Sequence, residues 1–558
     1  MFIKTTRTKG LEYIKLVESY RDENNITRHN VLFNFGRADL IKNNKSFINV
    51  VKRLCEIAQI GVTDSTPKLD CSEAQMFKYG HLPYLKLWEK LGIGNCLRRL
   101  QNNTKCEFSL CDAALLMVVQ HLLLPKSKLA TYEYQENYLG LKQIQLHQFY
   151  RTLEKLTEHK ELIETELFNE NYTKVGNTVD VVFYDVTTFA FESVIADELR
   201  NFGFSKACKF NEVQVVMGLL IDSNGLPIGY ELFPGNTFDG KTMTAALGNI
   251  QKRFGINKVV IVADRGLNSK GNLTAIKEAG YGYIVASKIK AMKKSIQEKI
   301  FAGDGYVSFS EDFRYKTIEY INTFKDEDGK WHRLSENLII SFSKKRAAKD
   351  YHDRLRLIDK AKKLLEKPSN IKSSNKRGGK KYLLETKNET AFSLDEKLIE
   401  NDSKFDGYYG IQSSEKAMPA MKIIEAYRTL WRIEESFRVM KSTLEVRPVF
   451  HWKKERIHGH FVVCFLAFML ERRLEMLISE QEIEHSPEKI KEALNAMQLA
   501  KVTLNNEIVY IKAKNNPLAN HICKQLDLKQ PQNINSKEQL KHIFGIDKKN
   551  PWGQLSLF

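Results

Sequence analysis

Three carboxylates stand where side-chain chemistry could use them. Asp185 closes the run VVFYD and Asp264 closes VVIVAD. In each case β-branched and aromatic residues read as a buried strand, and a polar turn follows (VTT; RGLNS). A strand end fixes an acid at the edge of a sheet, whereas either aspartate alone could simply open a turn. The third lies in YRTLWRIEESFRVMK, residues 427–441, where Glu434 and Glu435 are adjacent. At about 100° per residue, Glu434 falls in the middle of the face carrying Tyr427, Leu430, Trp431, Phe437, Arg438 and Lys441. A carboxylate on a buried stripe is costly unless a cation or metal compensates it. Glu435 lies about 100° round the helix, three residues from both Arg432 and Arg438, and reads as an ordinary surface charge.

Asp185, Asp264 and Glu434 together suit hard divalent cations, which want oxygen ligands. Two such ions about 3.5–4 Å apart can activate an attacking oxygen and stabilise the leaving oxygen of a phosphodiester. Asparagine would lack the charge and lysine would repel the metal.

The elements that must position these acids follow from the pattern around them. Residues 12–36 alternate apolar and polar about a DENN turn, a hairpin pattern. From about 70 to 172 the periodicity is helical, with SLCDAALLMVVQHLLLP starting at Ser109 and stopping before Pro125. Residues 176–290 read β-ββ-α-β-α-β, with Asn224-Gly225 turning the hairpin, which predicts a mixed sheet with helical cover. Short strand-like pieces, a charged helix near 345–366 and a basic loop, KPSNIKSSNKRGGKK, fill 291–420. Helical periodicity returns from 421 to about 480. Within it, FVVCFLAFML (461–470) is too short to span a bilayer and reads as a buried helix.

A chain of 558 residues is too long for one core and implies roughly three to five domains. A net charge of +18 favours a polyanionic partner. The 8 cysteines include no Cys-x2-Cys pair, which argues against a zinc ribbon and fits a reducing compartment. MFIKTTRTKGLEYIKL lacks the apolar core of a signal peptide. The expectation is a soluble cytoplasmic protein with no membrane partner.

FYDVTT, FGFSK, QVVMGLLID, FPGNTFDGKT, VIVADRG and the 427–441 helix, taken in order, resemble the DDE transposases of bacterial insertion sequences. The group resembled carries a Tyr-Arg-Glu-Lys signature and a β-strand insertion in the catalytic domain. The resemblance covers roughly residues 10–500. It implies an α/β multidomain chain with an RNase H-like mixed-sheet catalytic core in two parts, 176–290 and 421–500. A β-rich insertion domain, 291–420, would separate them. An N-terminal β-hairpin region (1–65), an α-helical DNA-binding domain (66–175) and a C-terminal region (501–558) complete the division. Asp185, Asp264 and Glu434 would be the catalytic acids and ligands of two Mg²⁺, with Mn²⁺ able to substitute. Tyr427 and Lys441 match the first and last signature residues. Leu430 stands where the signature has its arginine, and Arg438 is the candidate substitute for holding DNA phosphate. The implied partners are the terminal inverted repeats of the element and target DNA, bound by a homodimer.

Further DNA contacts are sought in LHQFYRTLEKL (146–156), somewhat like a helix-turn-helix, where His147, Gln148, Arg151 and Lys155 could reach a groove. Lys376 and Arg377, in the loop KSSNKRGGKK, are candidate phosphate contacts. His458 and His460 diverge on a helix and read as structural or phosphate-facing. One rival motif is present: GNTFDGKT (235–242) satisfies Gly-x4-Gly-Lys-Thr, the phosphate loop of NTPases. Its preceding strand is half of a hairpin, hence antiparallel, which argues against it. A catalytically inert DNA-binding relic is the other alternative.

Overall fold

The computed structural model describes all residues except 24–25, 43, 61–68, 105, 177–178, 204–210, 238, 257–258, 326–328, 367–377, 386–391, 448, 482, 484, 505–506 and 545–558. Residues 1–74 with 502–508 form one compact unit, and 75–501 with 509–558 form another.

The first unit contains an antiparallel three-stranded sheet, β1 (Phe2–Thr8), β2 (Leu11–Arg21) and β3 (Thr27–Arg37). The expected hairpin is β2–β3, running from Tyr13↔Arg37 to Arg21↔Thr27. β1 pairs with the other edge of β2 through a tight turn at Lys9-Gly10, both at positive φ. Helix α1 (Lys45–Ile57) follows, its first turn capped by the Asn44 side chain, which accepts from the Ser46 and Phe47 amides.

A nine-stranded sheet organises the second unit. Its strands are β4 (Val181–Ala190), β5 (Gln214–Ile221), β6 (Pro227–Pro234), β7 (Val260–Ala263), β8 (Gly282–Ala286), β9 (Val307–Ser310), β10 (Phe313–Lys325), β11 (Trp331–Ser343) and β12 (Tyr408–Ser413). The spatial order is β9-β10-β11-β12-β8-β7-β4-β5-β6. β4, β7 and β8 are parallel and every other pairing is antiparallel. β5 and β6 meet at the expected Asn224-Gly225 turn, with Gly225 at positive φ. The strands of 291–420 continue the sheet that carries the two aspartates: β12 hydrogen-bonds to β8 from Ile411↔Ala286 to Ser413↔Ile284.

The two faces of this sheet bury different sets of side chains. Val182, Tyr184 and Val186 of β4 pack with Met243, Phe254, Leu273 and Ile276 of the helices Asp239–Phe254 and Lys270–Glu278. Phe183 and Phe189 belong to a larger core built around the helix Lys454–Ser479. All of 461–470 is buried there, as the apolar run requires. Gly459 lets this helix touch the helix Leu146–Glu158: a Cβ at that position would lie 2.1 Å from the Leu153 carbonyl oxygen. Among the described residues no single helix is long and apolar enough to cross a membrane. One bent pair, Leu110–Leu123 with Lys128–Asn137, matches by length and composition, but its first helix is buried on every side.

Candidate active site

The parallel register of β4 and β7 places the two aspartates together. Tyr184 pairs with Ala263, so the next positions, Asp185 and Asp264, stand on adjacent strands about 5 Å apart. Alternation sends both to the face of Phe183 and Val262, toward the larger core. Asp185 accepts from the Val186 amide at 2.7 Å. Asp264 accepts from the Gly266 amide at 2.7 Å and the Leu267 amide at 3.2 Å, closing the turn that stops the strand.

The 427–441 segment lies over this face, but not as one helix. Ala420–Arg428 packs on β7 and β8, the helix is interrupted by a turn at Thr429–Leu430, and Trp431–Arg438 packs on β4. Residues 439–443 widen into a π-type turn. The wheel drawn from a single helical period therefore fails in phase. Ile433, Ser436, Phe437 and Met440 form the buried face, Glu434 is exposed, and Trp431 is 54% exposed. Glu434 is thus not a buried carboxylate in need of compensation, and among the described residues it makes no ion pair. Glu435 is the more enclosed of the two. It accepts from Arg472 Nη2 at 3.2 Å and pairs with Arg438 at 3.3 Å, while Arg432 donates instead to the Asn224 carbonyl oxygen. Arg472, 7% exposed, also donates to Ser436 Oγ at 3.3 Å and Glu475 Oε2 at 2.5 Å. The helix carrying Glu434 is fastened from behind through its neighbour, a role that helix spacing alone did not show.

Tyr427 and Lys441 reach the same face from the two ends of the segment. The Tyr427 hydroxyl lies 2.8 Å from that of Tyr409 on β12. Burial, this hydrogen bond and the nearby Asp264 charge raise its pKa far above the ordinary phenol value, so the hydroxyl stays protonated at neutral pH. Lys441 Nζ donates to Thr187 Oγ1 at 2.5 Å, two residues after Asp185 on the same strand face. Leu430 is 6% exposed within the large core, so a guanidinium at this position would have to be buried. Arg438, the candidate substitute, pairs with Glu435, and its side chain is 70% exposed.

Two aspartates on one face offer hard oxygen donors that fit divalent cations. Among the described residues no three metal-ligating side chains are grouped closely enough to hold an ion. Three bare carboxylates repel one another at ligand spacing. The structure brings Asp185 and Asp264 together and leaves Glu434 on the helix over β4, outside such a cage.

The remaining sequence candidates scatter. In Leu146–Glu158, Phe149, Thr152, Leu153 and Leu156 are buried, Arg151 is exposed and Lys155 pairs with Glu158 at 2.6 Å. Gln148 caps its own helix by accepting from the Gln145 amide. Lys376 and Arg377 lie outside the described residues. His460 is buried and its Nε2 lies 2.9 Å from the Val446 carbonyl oxygen, the structural alternative for that histidine. Gly235, which opens the NTPase-like motif, is pressed against backbone: a Cβ there would meet the Gln214 carbonyl oxygen at 2.0 Å and that of Asn201 at 2.3 Å. Its amide donates to the Leu199 carbonyl oxygen at 3.1 Å, and β6 is an antiparallel edge strand. Phosphate has no cradle at this glycine, and Phe238 lies outside the described residues.

Residues 180–470, just over half of the chain, match the family model of the transposase DDE domain. The chain belongs to the DDE transposase family. The match spans both aspartates, Glu434 and everything between them. Residues 3–64 match a second model, the N-terminal domain of IS1634 family transposases, which places this DDE transposase among those of bacterial insertion sequences. Its function is DNA transposition. No curated protein matches it. Among solved structures, the cryo-EM structure of a piggyBac transposase synaptic complex with hairpin DNA is similar at 10% identity and a TM-score of 0.36, over 77% of this chain and 82% of that one.

Proposed function

We propose that this DDE transposase works by cut and paste, with Asp185, Asp264 and Glu434 as its catalytic acids. The reading is carried by the register that sets Asp185 beside Asp264 on one face of the sheet, under the helix that bears Glu434. The strand order β6-β5-β4-β7-β8, with β4, β7 and β8 parallel, supports an RNase H-like core. In this reading 176–290 and 421–500 make up the core, 291–420 is the insertion, 66–175 and 1–65 serve DNA binding, and 501–558 is a C-terminal region. Two Mg²⁺ ions, when bound, would polarise the scissile phosphate and supply hydroxide from water. Asp185, Asp264 and Glu434 would hold them.

The rest of the chemistry belongs to the chain. The Tyr427 hydroxyl, held in place by Tyr409, would donate a hydrogen bond to a phosphate oxygen and keep its proton. Lys441, anchored by Thr187, offsets phosphate charge beside Asp185. Arg438, Arg151, Lys155, Lys376 and Arg377 are proposed as further DNA contacts. Inverted-repeat ends are nicked, and the freed 3′-hydroxyls attack target DNA in line, in a homodimer that bridges two ends at the nucleoid. Glu434→Gln tests this: the variant should retain DNA binding and lose Mg²⁺-dependent cleavage of the inverted repeats flanking the gene. Full nicking by that variant would contradict the assignment.

A further inference from the structure

The chain after the catalytic helix helps to build a second charged recess. Glu445, Arg447, Phe450 and His451, with the start of the helix Lys128–Tyr134, enclose a cavity of about 40 Å³ that Lys126, Ser127 and Lys128 also line. Lys128 is only 3% exposed. Among the described residues nothing accepts a hydrogen bond from its ammonium group, and no carboxylate supports its charge. Burial lowers its pKa to about 8. A buried ammonium without a counter-charge is costly, and the cost is relieved when an anion arrives.

The surroundings select the sign and size of that anion. Beneath Lys128, Cys464 Sγ lies 3.3 Å from His121 Nε2 and 3.5 Å from His460 Nε2. Burial, aided by the Lys128 charge, holds His121, His451 and His460 neutral at physiological pH. No metal cage forms here among the described residues. Glu445, the acid in the lining, pairs with Lys491 at 3.4 Å. The recess has room for roughly three water-sized groups, which suits the oxygens of one phosphate and excludes a base. At its edge Phe450 is 58% exposed, and an aromatic beside a cationic notch is the combination that grips nucleic acid.

We propose that this recess seats one backbone phosphate of bound DNA, with Lys128, Lys126 and Arg447 donating to its free oxygens. The contact adds affinity without base readout and anchors DNA on the segment that runs on from Lys441.

The test measures binding of the full chain to a fluorescein-labelled duplex taken from the DNA bordering the gene. Anisotropy is followed across a salt series in EDTA, so the catalytic acids play no part. Lys128→Gln should weaken binding about tenfold and flatten the slope of log affinity against log salt by about one. Its unfolding temperature without DNA should not fall, because an unpaired buried charge has been removed. Should that variant fail to fold, the double variant Lys126→Gln/Arg447→Gln carries the test, with a loss of about one slope unit per side chain. Unchanged slope and affinity in a folded variant would overturn the proposal. So would a site for free phosphate alone: inorganic phosphate stabilising the parent chain but not Lys128→Gln, with DNA binding equal in both.

Discussion

Arg472 holds Glu435, its Nη2 3.2 Å from Oε2, while Glu434 one residue earlier is left exposed on the neighbouring face of the helix. In the proposed reading the adjacent acids divide two tasks: Glu435 fastens the helix and Glu434 serves the site. Glu435→Gln should lower the unfolding temperature, at a cost of about 1 kcal/mol, because Arg472 keeps Glu475 but loses a charged partner. Cleavage should fall only partly. Glu434→Gln should leave the unfolding temperature unchanged and abolish cleavage. Thermal melts and a nicking assay on both variants separate the roles, and a reversed pattern would show that they are exchanged.

The Tyr409–Tyr427 hydroxyl pair should behave as one unit. Tyr427→Phe and Tyr409→Phe are each expected to slow cleavage about tenfold, and the double variant little further, because groups that share one hydrogen bond are not additive. Additive losses in a double-mutant cycle would show that the hydroxyls act separately.

Stability should carry a pH signature from Glu471. It is buried, accepts from the Tyr84 hydroxyl at 2.5 Å and lies near Glu475; burial first, then the Glu475 charge, raises its pKa to about 8. A carboxyl whose folded pKa is raised contributes its full stability below the unfolded value near 4.5 and loses it as pH rises through the folded one. The neutral mimic Glu471→Gln should thus gain unfolding temperature relative to the parent between about pH 5 and 9. Equal melting differences at the two ends of that range would refute the shift.

The glycine of the NTPase-like motif should prove structural. Gly235→Ala drives a Cβ against two carbonyl oxygens and should cost stability, while Lys241→Ala should leave cleavage within about twofold of the parent. ATP hydrolysis that is lost in Lys241→Ala would revive the rival motif.

Much of the candidate site's scaffold could be read from local pattern. VVFYD and VVIVAD announce strands because β-branched residues suit a buried sheet, and a strand fixes its terminal acid wherever it pairs. The Asn224-Gly225 turn and the 461–470 core helix were equally local. The phase of 427–441 was not, because a helical wheel assumes one continuous helix and the break at Thr429–Leu430 does not appear in the spacing. Arg472 was invisible for a different reason. Its partner is set by how the Lys454–Ser479 helix packs, and sequence spacing reports neighbours only within an element. The same holds for the Lys128 recess, assembled from segments far apart in the chain, and for β12, whose pairing with β8 joins the 291–420 strands to the core sheet.

Asp185, Asp264 and Glu434 are proposed to share metal. The most direct measurement loads Fe²⁺ in place of Mg²⁺ on the DNA-bound protein and maps where locally generated hydroxyl radicals cut the polypeptide. Cuts are expected to cluster near 185, 264 and 434 and to be suppressed by excess Mg²⁺. Cuts near the two aspartates with none near 434, or cuts elsewhere that Mg²⁺ suppresses, would contradict it.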